Sequence, residues 1–325
     1  MLVYLIRRLG QSLLVVAVMA TLVFVAMFAV GDPVDILASP DADQFERDAI
    51  AKRLGLDRPL YEQFGLFVWR ALHGDLGRSF VYNVPAVEVI LQRLPATLEL
   101  ALVGLAFSIL IGIPLGVVAG LKPHSAAGRS IMSGSILGFS LPNFWIGLML
   151  ILLFAVELRI LPAGGRGPTT TVLGVPTAIF SLEGLKHLIL PAVTLALYKS
   201  ALVIRIAQAG TREVMLQDYI RFARAKGLKP SRIIGVHVLK NIMIPVVTVL
   251  GLELGSMIAF AVVTETVFAY PGMGKLLIDS INRLDRPIIV AYLMLTVVIF
   301  VVINLIVDLL YAAVDPRVRL AEAKG

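Results

Sequence analysis

Four groups of residues in this chain could do chemistry, and three fail on spacing. Ser140 in GFSLP and His187 supply the elements of an intramembrane serine protease. Ser140, however, lacks the Gly-x-Ser-x-Gly frame of a nucleophile elbow, and Pro142 follows two residues later. A serine in a membrane helix more often bonds its own backbone or a neighbouring helix. The stretch AYPGMGKLL comes nearest to a phosphate-binding loop, but Ala269 stands where the first Gly belongs and Leu276 replaces the final Ser or Thr. Any ATP must be handled by another chain. His73, His124, His187 and His237 form no His-x3-His pair, and the absence of cysteine removes thiolate sites, disulfides and a thiol nucleophile. The fourth group is the basic stretch YIRFARAKGLKPSRIIGVHVLKNIMIP, residues 219 to 245. It fits either a helix-turn-helix that reads DNA or a cytoplasmic loop tied to a membrane.

The surrounding composition separates these two. The chain is 58% hydrophobic and 16% charged, with a mean hydropathy of +0.89; soluble domains are roughly 45 to 50% apolar and about 25% charged. So much apolar surface leaves too little polar surface to face water, so the bilayer is the better solvent. The net charge of +7 is then weak support for a nucleic-acid partner, because membrane proteins concentrate Lys and Arg in loops facing the cytoplasm.

A helix needs about 20 apolar residues to cross the hydrocarbon core, and six segments qualify. The first runs to residue 30 behind Arg7 and Arg8, and is too long for a cleaved signal peptide, so it is a retained anchor. The others cover 97–121, 131–156, 187–207, 242–264 and 288–314. With the N-terminus inside, the inner segments hold fifteen Lys and Arg, eight of them between Arg205 and Lys240, against three in each short outer loop. Both ends are therefore expected in the cytoplasm, the last as a tail over 315–325. Residues 31–96 form an external insertion, read as a small folded subdomain with a helix through Phe45, Ile50 and Leu54 that stops at Gly55. The fold class is an all-α integral membrane protein, with a five-helix core over 97–314 and no internal repeat.

Within the loop 208–241, a helix over Thr211 to Lys226 is expected to end at Gly227, which tolerates the left-handed conformation of a helix stop. Pro230 then suits the first turn of the next helix. Arg221 and Arg224, three apart, share a face, with Phe222 and Ala223 beside them. Both helices are tethered to the bilayer and there is only one such unit, which disfavours DNA reading. Orientation alone needs only a few basic residues, so the length of this loop favours docking onto another protein.

Here the sequence resembles the coupling loop of binding-protein-dependent ABC importers, the EAA loop. Arg221, Phe222, Ala223, Arg224, Ala225, Lys226 and Gly227 occupy its core, and IMIP at 242–245 opens the next span. The leading Glu is absent and the gap from Gly227 to Ile242 is long, as in the dipeptide, oligopeptide and nickel permease branch; Phe222 stands where that branch usually has Thr. YLIRRLGQSLLVV, GDPVDIL, LGLDRPLYEQF, HGDLGRSF, RLPATLELA, GFSLPNFWIGLML, HLILPAVTLAL, TETVFAYPGMGKLL and NLIVDLLYAAVDPRVR follow in the order of that branch over nearly the whole chain. The resemblance implies a type I importer permease in a bacterial inner membrane. Its implied partners are a second homologous permease, two ATPase subunits that bind ATP and Mg, an external solute-binding protein, membrane lipid and a peptide-like cargo. No cofactor in this chain, no catalytic residue and no nucleic acid are expected. An ATP-independent facilitator or channel, and more remotely the protease, are the alternatives.

Polar residues inside spans are the candidates for the translocation path. Glu253 would be costly facing lipid and should face a cavity or a partner; Gly251 and Gly255 beside it have the G-x-x-x-G spacing of close helix packing. It is either a wall of the path or a packing contact, and Asn143 beside Pro142 is similar. Asn304 and Asp308, four apart, point to packing. Lys199 either snorkels or pairs with an acidic residue.

Overall fold

A computed structural model describes residues 2–27, 34, 38 and 43–314; the start of the insertion and the tail after 314 lie outside the described residues. Its helices are α1 (Leu2–Met27), α2 (Gln44–Leu54), α3 (Leu60–Leu72), α4 (Ala86–Leu121), α5 (Ala126–Ser140), α6 (Asn143–Leu150), α7 (Leu182–Met215), α8 (Asp218–Ala225), α9 (Pro230–Arg232), α10 (Leu239–Val267), α11 (Met273–Asn282) and α12 (Arg286–Val314). A π-helical stretch over Ile151–Glu157 extends α6, and another over Ile233–Val238 joins α9 to α10. Among the described residues one antiparallel hairpin, β1 (Thr170–Val172) with β2 (Val175–Thr177), stands beside the helices.

Among the described residues five helices are long and apolar enough to cross a membrane: α1, α4, α7, α10 and α12. The sixth expected span, 131–156, is not one straight helix. Its halves α5 and α6 are bent by 104° at a break, because Pro142 disfavours helical backbone at the residue before it and Leu141 is extended, with ψ 137°. Helix α4 begins at Ala86, eleven residues before the expected 97, and its 36 residues span about 54 Å, well beyond the hydrocarbon core. Helix α7 likewise outruns 187–207 at both ends, opened by Ser181, whose side chain accepts from the Gly184 N–H.

The chain forms two compact units. One draws on residues 1–95 with 271–301, so the described part of the insertion after α1 packs with α1 and the start of α12. In it α2 runs from the Asp43 N-cap to Gly55 in left-handed conformation, the expected stop. Asp285, 1% exposed, fastens the loop after α3: it accepts from the Ser79 hydroxyl at 2.5 Å and from the Phe80 and Val81 N–H groups at 3.0 and 3.3 Å.

The other unit comprises 96–270 with the end of α12. Its core draws Ile113 and Val117 from α4, Val203, Ala207 and Val214 from α7, Ile220 and Ala223 from α8, and Ile242, Val246 and Leu250 from α10. Helices α4 and α7 meet along Gly104, Ser108, Gly112, Gly116 and Gly120. A Cβ on Gly116 would lie 2.6 Å from that of Ala207, and one on Gly112 would lie 2.7 Å from Val203. Such small-residue seams let membrane helices approach closely.

Candidate functional site: the coupling helix and the intramembrane ion pair

Residues 216–217 break the single helix expected over Thr211–Lys226. Thr211 to Met215 complete α7, and a separate helix α8 begins at Asp218. Gly227 ends it as expected, at φ +76°. The Leu228 N–H donates to the Ala223 carbonyl at 3.2 Å and the Gly227 N–H to Arg224 at 2.9 Å, the paired bonds of a Schellman stop. Pro230 then occupies the first turn of α9.

Helix α8 is divided by its own periodicity. Ile220 and Ala223 are buried in the unit's core, whereas Arg221, Phe222, Arg224, Ala225 and Lys226 are exposed. Ala223 is thus an anchor rather than part of the presented surface. Phe222 is 62% exposed, and the Lys226 ammonium lies 4.5 Å from its ring centroid, which orders an aromatic and a cation on one face. The arrangement is a short rod held by its apolar edge, offering guanidinium, ammonium and phenyl groups to another surface.

The polar residues inside the spans separate by partner. Lys199 on α7 and Glu253 on α10 form an ion pair. Ser256 joins it, accepting from the Lys199 ammonium at 2.8 Å and donating to the Glu253 carboxylate at 2.9 Å. The side chains remain 15% and 20% exposed, so Lys199 pairs rather than snorkels. Nearby, the Tyr198 and Phe139 rings stack at 5.0 Å, with the Arg205 guanidinium 5.1 Å from the Phe139 centroid. Gly251 faces Val307 of α12, bearing out the close helix approach expected there. Asn143 is elsewhere: its Nδ2 donates to the Thr264 hydroxyl at 3.1 Å, and its buried Oδ1 has no partner.

Glu99, which its sequence context did not single out, is a heavily bonded carboxylate of this unit. It receives the Arg166 guanidinium at 2.7 Å, the Thr177 hydroxyl at 3.0 Å and the Ala178 and Ile179 N–H groups at 2.5 and 2.8 Å, with the Tyr270 hydroxyl at 3.4 Å. Burial first, and then the Glu99 carboxylate, hold the Tyr270 phenol well above its usual range. These partners lie 67 to 171 residues from Glu99 along the chain, so no local spacing announces them.

No protease pair is assembled. Ser140 donates to its own helix at Ile136, 2.9 Å away, and His187 Nδ1 donates to the Gly164 carbonyl at 2.7 Å. Lys275 of the failed phosphate loop bonds Asp279 within α11. Among the described residues no cluster of His, Asp and Glu could hold a metal.

Comparison with known proteins settles the family. The family model described as "Binding-protein-dependent transport system inner membrane component" matches residues 112–320. Its companion, "Binding-prot-dependent transport system membrane comp, N-term", matches residues 1–101. The chain belongs to this family. The dipeptide transport system permease protein DppB of Escherichia coli K12 is 39% identical, covering 98% of this chain and 99% of its own. The oligopeptide transport system permease protein AppB of Bacillus subtilis is also 39% identical, covering 97% and 99%. In fold, the chain is similar to an inward-facing MetNI methionine ABC transporter, with a TM-score of 0.53 over 70% of this chain and 96% of that one, at 15% identity. The protein is a multi-pass permease subunit of an ABC importer with the type I architecture, and is not itself an enzyme.

Proposed function

We propose that this permease forms half of a translocation pathway for dipeptides, oligopeptides or related small polar solutes, working by alternating access. The cargo class rests on relatives whose names specify dipeptide, di/tripeptide and oligopeptide transport. The proposed assembly contains a second homologous permease, two ATPase subunits that bind ATP and Mg, and an external solute-binding protein; this chain holds no cofactor. It lies in the bacterial inner membrane with both termini cytoplasmic. Glu253, with Lys199, and Asn143 line the path. Their polarity suits a zwitterionic cargo, and partial exposure at mid-span is tolerable beside a polar cavity but costly against lipid.

Helix α8 carries the reading. A docked ATPase shifts the permease between states only by binding them unequally. The helix offers it a contact: exposed Arg221, Phe222, Arg224, Ala225 and Lys226, fixed through Ile220 and Ala223 to the core that includes α7 and α10. Movement of α8 therefore pulls on spanning helices. In the assembled complex, Gly227→Val should uncouple ATP hydrolysis from uptake while membrane insertion persists, since a β-branched residue is strained at φ +76°. Normal uptake at normal hydrolysis would sink this assignment. For orientation, Gln217→Cys and Glu62→Cys in the cysteine-free chain should react with impermeant maleimide from opposite sides; reaction from one side refutes the topology. Co-purification of two nucleotide-binding chains and a second permease separates the importer from a facilitator.

A further inference from the structure

Helix α3 buries no residue, although it packs on a spanning helix. Phe64 and Phe67 contact Phe24 of α1, with ring centroids 5.3 and 5.8 Å apart. At about 100° per residue, Tyr61 and Leu72 fall about 20° apart on an adjacent sector, 74% and 78% exposed, and Trp69, 61% exposed, lies about 60° further round, at the border with Glu62. Glu62, Gln63 and Arg70 lie on the remaining side, with Leu66 the one apolar residue among them. The helix thus has three sides: one for α1, one aromatic and aliphatic, one polar.

Its position along α1 says what covers the apolar side. From Arg7 and Arg8 to Phe24 is about 26 Å of helix, close to the roughly 30 Å hydrocarbon thickness. If the two arginines sit at one boundary of the bilayer, Phe24 and Met27 reach the other, and α3 is held at that depth. Trp and Tyr are the residues enriched at this level, where an aromatic body meets a hydrated edge. A soluble protein partner would need no such match between the depth of α3 and the length of α1.

We propose that α3 is an interfacial helix, lying at the membrane boundary opposite Arg7 and Arg8 with Tyr61 and Leu72 in the lipid, Trp69 at the waterline and Glu62 and Arg70 in the water. Its partner is the phospholipid surface, reached at the boundary between headgroups and acyl chains. The helix acts as an outrigger that resists sliding of α1 along the membrane normal. This inference needs only that α1 spans the membrane, and stands apart from cargo and coupling.

The test is depth by collision. The full chain, with a nitroxide at Tyr61→Cys, Leu72→Cys or Glu62→Cys in turn, is reconstituted into phosphatidylcholine and phosphatidylglycerol vesicles. The ratio of oxygen to nickel-chelate collisions should be several-fold higher at positions 61 and 72 than at 62. Equal, chelate-dominated collisions at all three overturn the proposal. So does shielding of 61 and 72 that appears only when a purified external solute-binding protein is added. Trp69 gives a check without a label: in Trp145→Phe it should be quenched by lipids brominated near the headgroup, and quenching by aqueous acrylamide alone overturns the proposal.

Discussion

Glu99 and Glu253 sit in the same compact unit, each largely buried and each paired with one cation, yet they are held in opposite ways. A carboxylate has about four acceptor sites. Glu99, 4% exposed, meets two backbone N–H groups, two hydroxyls and the Arg166 guanidinium. Glu253, 20% exposed, has Lys199 and Ser256. A saturated carboxylate fixes the segment around β2 to α4 and loses every partner at once if it moves. The sparsely bonded one can trade its ammonium for another cation at small cost. Burial and charge alone do not separate these two glutamates; the number of donors does.

The contrast predicts unequal damage. Glu99→Gln keeps the shape but strands Arg166 as a buried unpaired charge, a loss of about 3 to 5 kcal/mol; the protein should fail to accumulate in membranes or melt well below wild type. Glu253→Leu strands only the partly exposed Lys199, so it should lose less than Glu99→Gln, accumulate to a higher level and change transport. Equal accumulation of the two variants breaks the comparison.

A smaller effect sharpens it. Lys199→Met alone leaves the Glu253 charge without its partner and should destabilise by about 3 kcal/mol, whereas Lys199→Met with Glu253→Leu, neutral and apolar, should recover most of that. Denaturation in detergent measures both. A double variant no more stable than the single would make this pair a latch like Glu99.

The smallest effect is alkaline. The folded protein holds the Tyr270 proton more tightly than the unfolded chain, whose phenol titrates near about 10. Its contribution to stability is therefore complete below that pH and is lost as pH rises through the folded value. Tyr270→Phe should flatten the fall in melting temperature above about pH 10. An unchanged alkaline slope would detach Tyr270 from the Glu99 cluster.

These residues also show what a single sequence conveys. The spans, the helix from Asp43 to Gly55 and the stop-start at Gly227 and Pro230 were legible, because each depends on local composition or backbone preference. The bend at Pro142 was available in principle, but an uninterrupted apolar run concealed it. The four-residue recurrence of Gly104, Ser108, Gly112, Gly116 and Gly120 is present in the sequence, but nothing in it names α7 as the partner. The Lys199–Glu253 choice and the donors of Glu99 were not legible, since they require helices distant in sequence to be placed side by side.

The π-helical stretch between α9 and α10 leaves a mark on the pattern of buried positions. Ile233 and Val238 are buried five residues apart, whereas Val238, Ile242, Val246 and Leu250 recur every four. One residue more than an α-helical turn needs has been accommodated without rotating either neighbour off its face. Homologues that differ in length by one residue between Ile233 and Val238 could therefore keep both ends in register, toggling between a wide and a normal turn. The same deletion placed among Ile242 to Leu250 would swing the inward face of α10 by roughly 100°. Length variation in this family of helices should accordingly concentrate at the wide turn, as slack in a chain gathers at its loosest link.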